Sequence, residues 1–331
     1  MPQRSRLIVV GGSAGAIPVV RRLAADLPAD LPADLLVCIH LSPVHPSDLA
    51  AALGRASAIP VQFARHGQLL SGGRILLAPP DRHLLVRDDG VVLSLGPREN
   101  LSRPAIDPLF RTAVAAWGDR VIGVVLSGRL DDGAAGLSAV KRAGGIAIVQ
   151  DPNDAEQGEM PRSALAAADA DHVVAAADLA GLLVGLVHDA PTPAPARLPA
   201  DVAAESRADL DGYSSVDAED GIGARTPLTC PECGGVLWSV DGRQPRFRCH
   251  NGHAFSQETM DVAQRDALEG ALWSAVRIHQ ERIELARRMV STAISHGNDR
   301  MAETWQHRAE DYARNADIIR SLLLRSSPDK P

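Results

Sequence analysis

Residues 7–15 read Leu-Ile-Val-Val-Gly-Gly-Ser-Ala-Gly, and a helical run, Ile17–Asp26, follows. An apolar strand, a Gly-rich turn and a helix, in that order, form the opening unit of a parallel α/β sheet. The pattern recurs. Leu35–Ile39, Arg74–Leu77, Val121–Leu126 and Ile146–Val149 are further short apolar runs, while Asp107–Trp117 and Gly133–Ala143 have helical length and pattern. Near-continuous apolar runs suit strands covered on both faces. The expected fold of residues 1–190 is therefore α/β, a doubly wound parallel sheet with right-handed crossovers. Leu84–Leu95 breaks the alternation: two β-type runs flank Arg87-Asp88-Asp89-Gly90, and the Asp-Gly pair signals an antiparallel hairpin excursion.

Composition then shifts. Residues 190–200 are Pro-rich, and residues 201–221 carry seven acids against the single base Arg207. Such a segment reads as a disordered linker, set at 191–227. A Cys cluster follows and defines a small zinc ribbon over 228–258. Residues 259–325 carry two helical stripes. The first is Leu268, Leu272, Val276, His279, Ile283, Ala286 and Val290. The second is Met301, Trp305, Ala309, Tyr312, Ala316, Ile319 and Leu323. A turn and N-cap at 295–299 between them predict a helical hairpin or a dimerising coiled coil. Trp305 and Tyr312 read as hairpin core.

The chain of 331 residues is long enough for roughly two domains of about 150 residues and a sizeable core. No apolar run reaches the length of a membrane span, and the basic start enters turn chemistry too soon for a signal peptide. A net charge of −7 argues against nucleic acid as the partner. Four cysteines are too few for a disulfide scaffold, which points to a reducing cytoplasm. Cys38, inside an apolar strand, reads as a packed small hydrophobe.

Three polar groups stand where an open parallel sheet places its chemistry, after the C-terminal ends of strands. Ser13 lies in Gly11-Gly12-Ser13-Ala14-Gly15, a strand–turn–helix setting that raises a nucleophile over a sheet edge. The competing use of such a turn is phosphate binding, but no acid stands at the end of the second strand as a dinucleotide site requires. His40 follows that second strand and supplies a base near neutral pH. Asp131 and Asp132 follow the strand Val124–Leu126; one can orient the histidine while the other caps a helix.

Taken with the segments GGSAGA at 11–16, VCIHLSP at 37–43, ILLAPPDRHL at 75–84, RPAIDPLF at 103–110, LSGRLDDGAAGL at 126–137, AGGIAIVQDP at 143–152 and GEMPRSA at 158–164, residues 5–185 resemble the catalytic domain of CheB-type protein-glutamate methylesterases. The resemblance implies a nucleophile at Ser13, a base at His40 and an orienting acid at Asp132. It further implies a serine esterase that hydrolyses glutamate methyl esters on a methylated chemoreceptor or receptor-like protein and deamidates receptor glutamines, with no catalytic cofactor. Ala14, Gly128, Arg129 and His83 are the expected oxyanion or substrate contacts. Gly128-Arg129-Leu130 departs from the family's G-M-G at this turn. The chain opens directly on this domain, so a receiver domain is not expected, and the C-terminal module is expected to serve control or targeting. Expected partners are the receptor and a protein bound by the C-terminal helices, with no membrane insertion and with recruitment to receptor arrays. The alternatives are a CheB-like adaptor without catalysis and an esterase for another acyl substrate.

The cysteine cluster is read from spacing alone. Cys230-Pro231-Glu232-Cys233 is one knuckle; Cys249-His250-Asn251-Gly252-His253 is a second. Two such knuckles make a tetrahedral structural Zn²⁺ site of Cys230, Cys233, Cys249 and a histidine, His250 or His253, with His253 preferred for its knuckle spacing.

Overall fold

A computed structural model describes residues 6–41, 48–189, 198–212, 222–240, 243 and 245–325. Residues 190–197 of the Pro-rich stretch, residues 213–221, Ser42-Pro43 and Asp241-Gly242 lie outside the described residues. In chain order the elements are β1 (Leu7–Gly12), α1 (Ala16–Asp26), β2 (Asp34–Ile39), α2 (Leu49–Gly54), β3 (Val61–Phe63), β4 (Arg74–Leu77), β5 (His83–Arg87), β6 (Gly90–Ser94), α3 (Ile106–Trp117), β7 (Val121–Val125), α4 (Ala134–Arg142), β8 (Ile146–Gln150), α5 (Glu159–Ala167), β9 (His172–Val174), α6 (Leu179–His188) and α7 (Ala200–Asp211). They continue with β10 (Gly223–Thr229), β11 (Val236–Val240), β12 (Arg246–Cys249), β13 (Ala254–Ser256) and the helices Gln257–Ser295 and Asp299–Arg325. The chain divides into two compact units, residues 1–260 and 261–331.

In the first unit, seven parallel strands run in the order β3-β4-β2-β1-β7-β8-β9. Strand β1 is central, and successive residues face opposite sides. Leu7 and Val9 join one apolar cluster with Leu109 and Phe110 of α3 and Leu137 of α4. Ile8 and Val10 join the other, with Val20 and Leu23 of α1 and Leu183 of α6. Burial on both faces is why these strands read as unbroken apolar runs. The strand order reverses beside β1, so the crevice for a ligand opens at the C-terminal ends of β2, β1 and β7.

The hairpin excursion is β5–β6, with Arg87 opposite Gly90. It packs on α3: Thr112 Oγ1 accepts from Val86 N at 3.1 Å, and Trp117 Nε1 donates to Asp88 O at 3.0 Å. The short edge strands β3 and β9 were not expected from the sequence; at three residues each they are too brief to show a period.

Part of the expected linker is ordered. Residues 200–211 form α7, whose acids Asp201, Glu205 and Asp209 are paired. Arg111 of α3 donates to Glu99 at 2.8 and 2.6 Å and to Asp209 at 3.0 and 2.9 Å. Arg248 of β12 donates to Asp209 at 3.1 Å, Arg246 to Glu205 at 2.8 Å, and Arg142 to Asp201 at 2.7 Å through both terminal nitrogens. An acid run without partners would stay solvated and unfolded; here arginines distant in sequence neutralise it. The four-stranded antiparallel sheet β10-β11-β12-β13 shares these pairs and belongs to the same unit as the parallel sheet.

Burial alone would raise the Glu205 carboxyl, but Arg246 and Arg111 outweigh it and hold the pKa near about 2. This depressed value stabilises the fold fully above the ordinary carboxylate range. The contribution is lost as pH falls from about 4.5 toward 2. Glu205→Gln should therefore cost about 3 kcal/mol at pH 7. Denaturant unfolding at pH 7 and pH 3 checks this, with the difference between variant and parent shrinking at the lower pH.

The second unit contains the remainder of the helix Gln257–Ser295 and the helix Asp299–Arg325. Gly297, at φ +68°, reverses the chain, and Asn298 Oδ1 caps the second helix by accepting from Met301 N at 3.1 Å. Val276, Ala286, Ala309, Ala316 and Leu323 are buried on the expected stripes, and Arg282 lies 3.9 Å over the Tyr312 ring. Two expected stripe members, Leu268 and Met301, are exposed; Ala302 takes the buried place near Met301.

Candidate active site and metal cluster

The turn after β1 is built by close approach. A Cβ on Gly11 would stand 2.3 Å from Ile106 Cγ2, so only glycine lets the start of α3 reach this strand end. Gly15 has φ +79°, and a side chain there would meet Ser127 Oγ at 2.5 Å. Ser127 Oγ donates to Ala14 O at 2.8 Å, and Ser13 N donates to Ser127 O at 2.9 Å. The turn is thus fastened to the end of β7, with Ser13 half-buried at its head.

Ser13, His40 and Asp132 form one hydrogen-bonded chain. His40 Nδ1 lies 3.2 Å from Ser13 Oγ, and His40 Nε2 lies 2.8 Å from Asp132 Oδ2. A buried carboxylate accepts the hydrogen bond from Nε2–H, which fixes the proton there and leaves Nδ1 bare to accept from the serine hydroxyl. That is the tautomer a general base needs. Asp132 also accepts from Ile106 N at 2.7 Å, Asp107 N at 3.2 Å and Asn100 Nδ2 at 3.0 Å. Burial would raise this carboxyl, yet the hydrogen bond and charge of His40 and the donors at the start of α3 hold it below the ordinary carboxylate range. An ionised Asp132 both orients the imidazole and favours its protonated form.

The neighbouring acids behave oppositely. Burial pushes Asp107 well up, assisted by the charges of Asp132 and Glu99. Burial also raises Asp131, to about 6, although the hydrogen bond from Ser256 opposes the shift. Asp131 does not cap α4 through its side chain. Its Oδ1 accepts from Ser256 Oγ at 2.7 Å.

Of the other expected contacts, Ala14 is exposed beside Ser13. The Gly128 N–H is not free for an oxyanion, because it donates to Gln157 O at 3.0 Å. Arg129 is exposed and leans on Gln157 Oε1 at 3.4 Å, and Leu130, at φ +60°, donates to Glu159. His83 does not face the crevice. It is 4% exposed, its Nε2 donates to Pro97 O at 2.9 Å, and its Nδ1 accepts from Ala105 N at 3.2 Å, which makes it a buried loop fastener. Cys38 is fully buried, and burial pushes its thiol up, as suits a packed hydrophobe. Arg103 clamps Asp81 at 2.8 and 2.9 Å. Asn100, buried against Asp132, had no signal of its own in the sequence.

Cys230, Cys233, Cys249 and His253 bring one ligand atom each to within 4.8 Å of one another. Cys233 Sγ and Cys249 Sγ are 3.8 Å apart, and Cys249 Sγ is 3.6 Å from His253 Nδ1. A tetrahedral ion with Zn–S near 2.3 Å and Zn–N near 2.05 Å requires edges of about 3.8 and about 3.6 Å. The donor set therefore fits such a metal, and His253, not His250, completes it. The first knuckle is closed by Cys230 N donating to Gly235 O at 2.7 Å, the second by Cys249 N donating to His253 O at 2.9 Å. Hydrogen bonding from Cys249 and His253 pulls the Cys230 thiol down to about 3, while Cys230 pushes Cys249 up. The thiolate is the form in which cysteine binds metal.

Among the described residues no helix is long and apolar enough to cross a membrane. The profile of the family described as CheB methylesterase matches residues 8–183. A Leptospira interrogans protein provisionally named protein-glutamate methylesterase/protein-glutamine glutaminase is 37% identical over 180 residues, covering 54% of this chain and 93% of that protein. An Anaeromyxobacter dehalogenans protein-glutamate methylesterase/protein-glutamine glutaminase is 38% identical over 174 residues, 52% of this chain and 51% of that one. The crystal structure of the Thermotoga maritima CheB methylesterase catalytic domain superposes with a TM-score of 0.53 at 29% identity, covering 55% of this chain and 99% of that one. With the family profile spanning more than half of its length, the chain belongs to the CheB methylesterase family.

Proposed function

We propose that this protein is a serine esterase that hydrolyses glutamate methyl esters on chemoreceptors and deamidates receptor glutamines. The observation that carries the reading is the unbroken chain Ser13–His40–Asp132 at the ends of three adjacent strands. Ser13 Oγ attacks the ester carbonyl while His40 Nδ1 takes its proton. Asp132 holds the imidazolium that forms. The Ala14 N–H, next to the nucleophile on an exposed residue, is the donor we assign to the developing oxyanion. His40 then protonates the departing methanol, and a water activated by the same imidazole releases glutamate from Ser13. With glutamine the leaving group is ammonia and the acyl chemistry is unchanged.

The Cys230, Cys233, Cys249 and His253 set holds a structural Zn²⁺. Four protein ligands leave no position for substrate or water, so the ion supplies folding and not Lewis-acid chemistry. The protein acts in the cytoplasm, reaches receptor arrays through protein contacts, and uses the hairpin of residues 261–325 to dock a partner.

A fluorophosphonate probe tests the nucleophile without a receptor. Wild-type protein should gain one phosphonyl group, mapped by mass spectrometry to Ser13, and His40→Ala should slow labelling by at least about 100-fold. Labelling elsewhere, or at a rate independent of His40, would remove the esterase reading.

A further inference from the structure

The acid of the Ser13–His40–Asp132 chain is gripped from the ribbon side. Asn100 is 5% exposed and every hydrogen-bonding position of its amide is used. Its Nδ2 donates to Asp132 Oδ1 at 3.0 Å and to Asp107 Oδ2 at 2.9 Å. Its Oδ1 accepts from Ser256 N at 3.0 Å and from Thr259 Oγ1 at 3.2 Å. Ser256 and Thr259 form a reciprocal cap at the start of the helix Gln257–Ser295. Thr259 N donates to Ser256 Oγ at 3.0 Å, and Ser256 N donates to Thr259 Oγ1 at 2.9 Å. The same Ser256 hydroxyl donates to Asp131. One cap therefore holds Asp131 directly and Asp132 through Asn100.

The backbone repeats the linkage. Asn100 N donates to Ala254 O at 2.9 Å. Ala254 directly follows His253 and pairs with Arg248, the residue before Cys249. The 98–101 loop takes its shape there: Asn100 and Leu101 have φ of +49° and +65°. Such conformations persist only where contacts impose them. Two candidate metal ligands, Cys249 and His253, thus close the turn whose next strand fixes Asn100.

We propose that Asn100 is a positioning residue for Asp132 and that the ribbon, through Ser256 and Thr259, holds it in place, so that metal loading of the Cys3His site sets the rate of ester hydrolysis. The inference rests on the esterase reading. An ion that takes no part in the chemistry then governs it by ordering the support of the catalytic acid. A partner that strips or supplies the metal would control turnover.

The test uses the full chain and a peptide carrying a glutamate γ-methyl ester. Wild type, Asn100→Ala and the double variant Ser256→Ala/Thr259→Val are assayed zinc-loaded, after chelation, and after zinc is returned. Loaded Asn100→Ala should lose about 10- to 100-fold in kcat with KM unchanged, and the double variant should lose part of that. Chelation should lower wild-type kcat to the Asn100→Ala level, reversibly, and should change Asn100→Ala itself less than about threefold. Hydrogen exchange at residues 98–107 should quicken on chelation, a readout independent of turnover. Losses that multiply in the chelated variant, or unchanged exchange at 98–107, would overturn the coupling while leaving the esterase intact. Full activity of Asn100→Ala would do the same. No turnover by loaded wild type would overturn the esterase reading, and this inference with it.

Discussion

Asp132→Asn is expected to lower kcat for ester hydrolysis by about 10⁴. The carboxylate accepts from four donors: His40, Asn100, Ile106 and Asp107. An amide offers one acceptor oxygen and turns an N–H toward the others. If that N–H faces His40, Nε2 must become the acceptor and Nδ1 carries the proton. The ring then cannot receive the proton of Ser13, and an uncharged side chain no longer favours the imidazolium. The unmade bonds cost stability as well, about 1–3 kcal/mol, so unfolding is measured beside kcat to separate the two effects. A folded variant within tenfold of wild type would mean that Asp132 only shapes the loop.

Removing the metal proposed for the Cys230, Cys233, Cys249 and His253 set should have the largest structural effect. The four-stranded sheet of residues 223–256 is small, and structural zinc sites of this kind carry apparent binding free energies of about 10–16 kcal/mol near pH 7. Chelation should expose the sheet's amides to exchange and release Trp238, which is 2% exposed in β11. A red shift of its emission, with rapid exchange over 223–256 that reverses on adding zinc, is the expected result. A ribbon that stays protected after mass spectrometry shows the metal gone would contradict it.

The parallel sheet was legible because its strands are apolar on both faces, and the edge strands were not because three residues carry no period. Ser13 and His40 were candidates because each follows a strand at the end where α/β sheets place their chemistry, whereas position left Asp131 and Asp132 open and only the family resemblance pointed to Asp132. Physical proximity did the rest, across separations of 27 and 92 positions. The acids of α7 misled because composition counts charge but cannot see a partner. Arg111, Arg246 and Arg248 lie far along the chain, and a paired acid run looks the same in sequence as a solvated one. His83 misled for a related reason: a histidine after a strand marks either a crevice or a buried loop, and only the positions of Pro97 O and Ala105 N decide. The Ser-x-x-Thr cap at 256–259 was present as a local signal. Its link to Asp132 passes through Asn100, which is 156 positions from Ser256, and no local pattern reports that.

Methanol release from methylated chemoreceptor, by wild-type and Ser13→Ala protein side by side, tests the central claim most directly. The expected result is steady release by the folded, zinc-loaded wild type and a loss of at least about 10³-fold in Ser13→Ala. Equal release by both proteins, or none by either while each remains folded and metal-loaded, would contradict it.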